Sequence, residues 1–312
     1  MSILVTGANG QLGTILTEAL RSKHGAHKVI ASDIIRPKGH QSDPFVMLDI
    51  LNVQRIGEII ADYNVKQIYH MAAILSANGE WNPQKTWNVN LNGLLSILEI
   101  ARLTEVEKVF FPSTIAVFGP STPKEMTPQE VPMIPTTVYG MSKVAGELWC
   151  NYYHKRYELD VRSLRFPGII GYDSMPGGGT TDYAVEIFHE ALEHGAYTCF
   201  LEGQTSLPMM YMPDAIRAIM MLMDSDTKNI RIRSGYNIAG MSITPSQLAA
   251  EITKHLPHFE ITYHSDFRQK IAESWPSSID DWQAKEDWGW QPQYDLSKMT
   301  EDMIQHLAKF KE

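Results

Sequence analysis

Cysteine is scarce in this chain: its 312 residues contain two, Cys150 and Cys199. Two thiols make neither a disulfide framework nor a thiolate metal cluster, and such usage fits a reducing compartment, the cytoplasm. Long apolar runs are also missing. The nearest, Ala215 to Met223, is nine residues long and contains Arg217, far short of the roughly 18 that a membrane span needs. The opening MSILVTG enters a strand directly, without the basic and apolar regions of a signal peptide. No excess of positive charge is present: 27 Lys and Arg against 36 Asp and Glu leave a formal charge of −9. That balance argues against a nonspecific nucleic-acid partner, which wants a basic surface. The eleven histidines form no H-x-x-x-H or Cys/His grouping, so no metal is expected.

What is present is apolar material and a rhythm. A chain that is 44% hydrophobic can bury a full core. Strand-like runs at Ser2–Thr6, Lys28–Ser32, Phe45–Leu48, Gln67–Met71, Lys108–Ser113 and Val161–Phe166 alternate with helical stretches at Gln11–Arg21, Val53–Tyr63, Gln84–Leu103 and Gly140–Arg156. Alternation of this kind predicts an α/β fold with a parallel sheet covered on both faces. Beyond Gly171 glycine- and proline-rich loops surround shorter helices, which suggests a smaller C-terminal lobe. The expected division is therefore residues 1–170 and 171–312, the second part mainly a lobe but able to return to the sheet.

The first strand runs into TGANGQLG, with Gly7, Gly10 and Gly13. Gly7 permits a tight turn, Gly10 brings backbone near a pyrophosphate at the helix N-terminus, and Gly13 lets helix and strand approach. The spacing is one residue longer than G-x-G-x-x-G, and a plain turn with a helix start uses such glycines too. Asp33 ends the second strand about 20 residues after Gly13, where a carboxylate accepts ribose hydroxyls and repels a 2′-phosphate, favouring NAD over NADP. Arg36 stands close enough to compete with that preference. Asp49, after the third strand, faces an adenine edge or caps the next helix. Ala72–Ala73 suit a closely approaching cofactor as well as a tight turn.

VYGMSKVAGE places Tyr139 and Lys143 four apart, on one helical face. Beside an ammonium and a cofactor's positive ring a phenol's pKa is expected to fall, which makes Tyr139 an acid/base candidate. A surface Tyr–Lys pair is the ordinary alternative. Ser113 and Thr114, in FFPSTIAVFG, end the fifth strand at the sheet edge where open α/β folds bind ligands; either hydroxyl can hold a substrate alcohol, or simply satisfy a strand end.

With TGANGQLG, Asp33, the Ser113–Thr114 pair and Tyr139/Lys143 in this order, the chain resembles an extended short-chain dehydrogenase/reductase of the NAD-dependent epimerase/dehydratase family over nearly its whole length. The resemblance implies a doubly wound, Rossmann-like parallel sheet with a smaller C-terminal substrate-binding lobe. It implies NAD held by Gly7, Asn9, Gly10, Gln11, Leu12, Gly13, Asp33, Asp49, Ile50, Met71, Ala72, Ala73, Asn90, Tyr139, Lys143 and Pro167. Tyr139 is then the general base, Lys143 binds the nicotinamide ribose and lowers the tyrosine's pKa, and Thr114 orients the substrate. Many relatives have serine at the position of Thr114, and with Ser113 next to it the assignment stays open between the two. Asn90, in NVNLNG, supports the site, and Pro167–Gly168, in RFPGIIG, form the turn beside the nicotinamide. A homodimer is implied through Gln84–Leu103 and Gly140–Arg156, whose apolar residues can otherwise be spent on the sheet.

Four further stretches, PGGGTTDYAVE, LSANGE, STIAVFGP and ESWPSSIDD, resemble the short-chain L-threonine 3-dehydrogenase branch of that family. L-threonine is the implied substrate, bound by Ser76, Thr114, Tyr139, Gly178, Thr180, Thr181 and Trp275. Gly177–Gly179 otherwise form a passive turn, Thr181 a helix cap, and Trp275 a core residue. Asp182 either meets the ammonium or is an ordinary first-turn acid. The rival activity is a nucleotide-sugar 4-epimerase or dehydratase, which needs donors for a diphosphate; Arg217, Arg231 and Arg233 are scattered in the second half. A catalytically silent NAD-binding scaffold is the rival outside enzymes.

Overall fold

A computed structural model describes residues 2–37, 44–173 and 179–309. The strands in chain order are Ser2–Thr6 (β1), Val29–Asp33 (β2), Phe45–Met47 (β3), Val65–His70 (β4), Lys108–Thr114 (β5), Asp160–Phe166 (β6), Gly168–Ile170 (β7), Ala196–Cys199 (β8), Leu207–Tyr211 (β9), Tyr236–Asn237 (β10), Met241–Ile243 (β11) and Glu260–Tyr263 (β12). Seven of them form one parallel sheet in the order β10-β6-β5-β4-β1-β2-β3. The winding direction reverses between β1 and β4. That is the doubly wound arrangement, and it opens a crevice at the carboxyl ends of those strands.

The sheet is parallel because both of its faces are apolar. β1 sends Ile3 and Val5 to one face and Leu4 to the other. Helices Gln11–His24 and Met212–Asp224 cover the first face through Leu16, Leu20, Ala215 and Ile219. Helices Val53–Tyr63, Gly93–Leu103 and Val138–Tyr157 cover the second through Ile56, Ile59, Leu94, Ile97 and Cys150. The stretch expected as one helix over Gln84–Leu103 is interrupted: Pro83–Trp87 is helical, Asn88–Asn92 is a π turn, and the α-helix resumes at Gly93. A π turn carries an extra residue, a feature common at functional sites.

The second half serves two bodies. Its helix Met212–Asp224 and its two-residue strand β10 belong to the central sheet, β10 pairing with β6. Ala284, Trp288 and Trp290 pack in the same core, and most of the remainder builds a separate one around Tyr183, Phe188, Leu248, Trp275 and Met299. There β9 joins β7 in parallel and β11 antiparallel, while β8 pairs with β12. Among the described residues no helix is long and apolar enough to cross a membrane.

Candidate functional site

A cavity of about 250 Å³ lies at the carboxyl ends of β1, β4, β5 and β6, where the sheet meets the second core. Of the residues singled out from the sequence, Gly7, Gly10, Gln11, Leu12, Gly13, Met71, Ala73, Ser76, Ser113, Thr114, Tyr139, Lys143, Pro167, Thr180, Thr181 and Trp275 line it. Gly178 lies outside the described residues. Asn9, Asp33, Asp49, Ile50, Ala72 and Asn90 are not among the residues lining it.

The glycine loop follows β1 and leads into the helix Gln11–His24. At Gly13 a Cβ would stand 2.1 Å from the Gly7 carbonyl oxygen, so the helix can approach the turn only without a side chain there. Asp33 ties this loop to β2: its carboxylate accepts from the backbone N–H of Asn9 at 3.0 Å and of Ile34 at 2.7 Å. Arg36 turns away, donating to the Phe45 carbonyl and lying 5.1 Å over that ring. Bare backbone beside a carboxylate at the end of β2 fits a dinucleotide. The other non-lining residues make local contacts. Asp49 accepts from the Leu51 N–H, Ile50 packs under Gly93, and Ala72 backbone lies against Gly7. Asn90, in the π turn, clamps Ile74 from both sides, accepting its N–H at 2.8 Å and donating to its carbonyl at 3.0 Å.

Tyr139 and Lys143 sit in the first turns of the helix Val138–Tyr157. The Thr137 side chain accepts from Gly140 N–H and Glu80 accepts from Val138 N–H, which satisfies two of the helix's free donors. A Cβ at Gly140 would lie 2.2 Å from the Ala116 carbonyl oxygen, so the helix start presses on the end of β5. This brings the Tyr139 phenol close enough to the Thr114 hydroxyl for that group to favour its ionised form, while Thr114 accepts from the Ala116 N–H at 3.2 Å. Lys143 is buried, its ammonium donating to the Pro112 carbonyl at 2.7 Å and lying 5.6 Å from the Tyr139 ring centre.

The expected fall in the Tyr139 pKa is not found in the protein alone. Burial pushes the phenol up to about 12, and only the Thr114 hydrogen bond opposes it. Burial also pushes Lys143 down to about 7, against the pull of Cys150 and Glu147. Ser113 and Thr114 both line the cavity but have different partners. Ser113 is buried and donates to Glu147, whereas Thr114 faces Tyr139.

On the opposite wall, Ser76 opens the helix Ser76–Glu80 and is buried. Thr180 is 1% exposed, and its hydroxyl has no hydrogen-bond partner among the described residues. Thr181 does not cap the following helix Tyr183–His194. Asp182 precedes that helix and accepts from the Gly179 N–H at 2.6 Å, while Thr181 packs against Gly168. Trp275 ends the helix Phe267–Ser274 and is nearly buried; Lys124 holds its carbonyl at 3.1 Å and that of Glu273 at 2.8 Å. Pro112, Ile115, Phe166 and Ile169 also line the cavity. They had not been singled out, because an apolar strand end carries no pattern that distinguishes a pocket wall from core. The arginines noted in the second half are engaged elsewhere: Arg217 with Asp214, Arg231 with Asp287, Arg233 with Asp160; Arg268 pairs with Asp266. None of them lines this cavity.

A family model described as the NAD dependent epimerase/dehydratase family matches residues 3–239. An uncharacterized epimerase/dehydratase from Staphylococcus haemolyticus is 46% identical over 311 residues, 98% of each chain. Among solved structures, the holo form of a GalE-like L-threonine dehydrogenase from Cupriavidus necator superposes with a TM-score of 0.97 at 50% identity, covering 98% of this chain and 100% of its own. A monomeric L-threonine 3-dehydrogenase from a metagenome, in apo form, gives 0.96 at 48% identity, with 99% and 100% covered.

Proposed function

The chain belongs to the NAD dependent epimerase/dehydratase family, and we propose that within it the protein is an L-threonine 3-dehydrogenase, oxidising L-threonine to L-2-amino-3-oxobutyrate on the route toward glycine. The observation that carries this reading is Thr114 beside Tyr139 on one side of a small cavity and, on another, a Thr180 hydroxyl with no partner among the described residues. One end can process an alcohol, and the other offers a donor to a carboxylate.

Gly7, Gly10, Gln11, Leu12, Gly13 and Asp33 hold NAD, whose nicotinamide supplies the hydride acceptor for threonine Cβ. Thr114 holds the Cβ hydroxyl, and Tyr139 as phenolate takes its proton. The cofactor's positive ring lowers the phenol's pKa from its buried value. Lys143, fixed by Pro112, binds the nicotinamide ribose and supports the phenolate. Thr180, Thr181 and Ser76 surround the amino-acid end, and Trp275 excludes water from the reacting centre. The arginine ion pairs leave the cavity without a basic cradle for a sugar diphosphate, which weighs against epimerase activity.

NADH absorbance tests this directly. L-threonine with NAD⁺ is expected to give NADH, and with NADP⁺ much less, because Asp33 opposes a 2′-phosphate. NADP⁺ performing as well would remove that role from Asp33, and turnover of a UDP-sugar without threonine oxidation would replace the reading with an epimerase.

We propose also that the protein acts in the cytoplasm, consistent with two buried free thiols, and as a homodimer. Met141, Leu148, Trp149 and Tyr152 form an exposed apolar stripe on the helix Val138–Tyr157, a surface of the kind that marks association. Sedimentation equilibrium should report two chains; a single-chain mass at micromolar concentration would end the dimer proposal.

A further inference from the structure

Ser113 has no part in the chemistry proposed above, although it adjoins Thr114. Its hydroxyl donates to Glu147 at 2.5 Å. Glu147 lies one turn beyond Lys143 on the same helical face and is completely buried. Arg165 engages both of its oxygens, Nε to Oε1 at 2.9 Å and Nη2 to Oε2 at 2.8 Å. The remaining Arg165 nitrogen donates to the Gln129 carbonyl and to Asn237. One carboxylate therefore joins three strips of chain. The first is Pro112-Ser113-Thr114, which carries the Lys143 acceptor and the Thr114 hydroxyl. The second is the Lys143–Glu147 turn, and the third is Arg165-Phe166-Pro167, which ends at the cavity wall.

We propose that Glu147 is a positioning residue for the reaction: through Ser113 and Arg165 it fixes Thr114, Lys143 and Pro167 in one geometry. The kinetic arm of this inference rests on the threonine reading. A buried ion pair contributes little net stability over an apolar replacement, so stabilisation alone is a poor account of a junction placed here. The packing is close: a Cβ at Gly235 would lie 2.9 Å from Glu147 Oε1. Glu147 is also one of the two groups that oppose the burial-driven fall of the Lys143 pKa.

Ser113→Ala is the informative variant, because it cuts one bond and leaves Glu147 paired with Arg165. The expected result is a fall in kcat of about 10–100-fold, the scale of a small misplacement in a catalytic array, with KM for NAD⁺ unchanged. The primary isotope effect with threonine deuterated at Cβ should rise, since the chemical step becomes slower. A raised KM for threonine at unchanged kcat would make Ser113 a substrate contact and overturn the inference. So would a lowered thermal midpoint with wild-type kcat and isotope effect. A crystal structure of the same variant decides the matter whatever the substrate: the Thr114–Tyr139 hydroxyl separation should lengthen, and an unchanged separation sinks the proposal. A wild-type protein that fails to oxidise threonine counts against the functional reading alone.

Discussion

Tyr139→Phe is expected to lower kcat by about 10²–10⁴-fold, the usual contribution of a general acid–base group, while NAD⁺ affinity stays near wild type. The ring packs against the second core and that packing survives the change. Lys143 also keeps its place, because its ammonium is held by the Pro112 carbonyl rather than by the phenol. Only the phenol's contact with Thr114 is lost, and Thr114 keeps the Ala116 N–H. The pH dependence has a definite sign. Burial holds the phenol protonated, at about 12 in the protein alone, and the working form is the phenolate. The rate therefore rises with pH as the proton leaves and falls as pH is lowered, with a midpoint brought below 12 by the cofactor's positive ring. Tyr139→Phe should lose both the rate and the ascending limb. NADH absorbance across the neutral to alkaline range, with cofactor binding followed by fluorescence, checks both. A variant that keeps most of wild-type kcat would assign the proton to another group.

Much of this arrangement is legible in sequence because it rests on short, local patterns. The glycine loop, the acid at the end of β2 and the i, i+4 Tyr–Lys pair are each set by neighbours in the chain, and each falls where its pattern puts it. The choice between Ser113 and Thr114 is of another kind. Successive strand residues point to opposite faces, but nothing in FFPST says which face holds Glu147. The spacing does contain a signal: Tyr139, Lys143 and Glu147 are four apart and share a helical face. The protonation of Tyr139 in the protein alone is of the same kind. Its charged neighbour can be read from sequence, whereas the burial that raises its pKa comes from tertiary packing, the ring lying against the second core. The alternative of a Thr181 cap is not met either: Asp182 precedes the helix, and its carboxylate turns back to the Gly179 N–H.

Thr180→Val should separate recognition from folding more cleanly than a change at Thr181. Thr180 is 1% exposed, and its hydroxyl has no partner among the described residues. A buried hydroxyl without a partner costs about 1–3 kcal/mol, so an isosteric methyl in its place should leave the thermal midpoint of the protein alone unchanged or raised. Catalysis should move the other way. If the hydroxyl donates to the threonine carboxylate, a bond to a charged group worth about 1.5–3 kcal/mol is lost. That corresponds to a fall of about 10–150-fold in kcat/KM. The loss should appear mainly in KM, because the carboxylate is held equally in ground and transition states. Thr181 offers no such contrast: it is half-buried and packed against Gly168, so removing it disturbs the wall as well as a hydroxyl. Midpoint and kinetics measured on one preparation of Thr180→Val give the answer. A lowered midpoint with unchanged kcat/KM would make Thr180 a structural residue, and the substrate's carboxylate would have to be held by Thr181 or by Ser76.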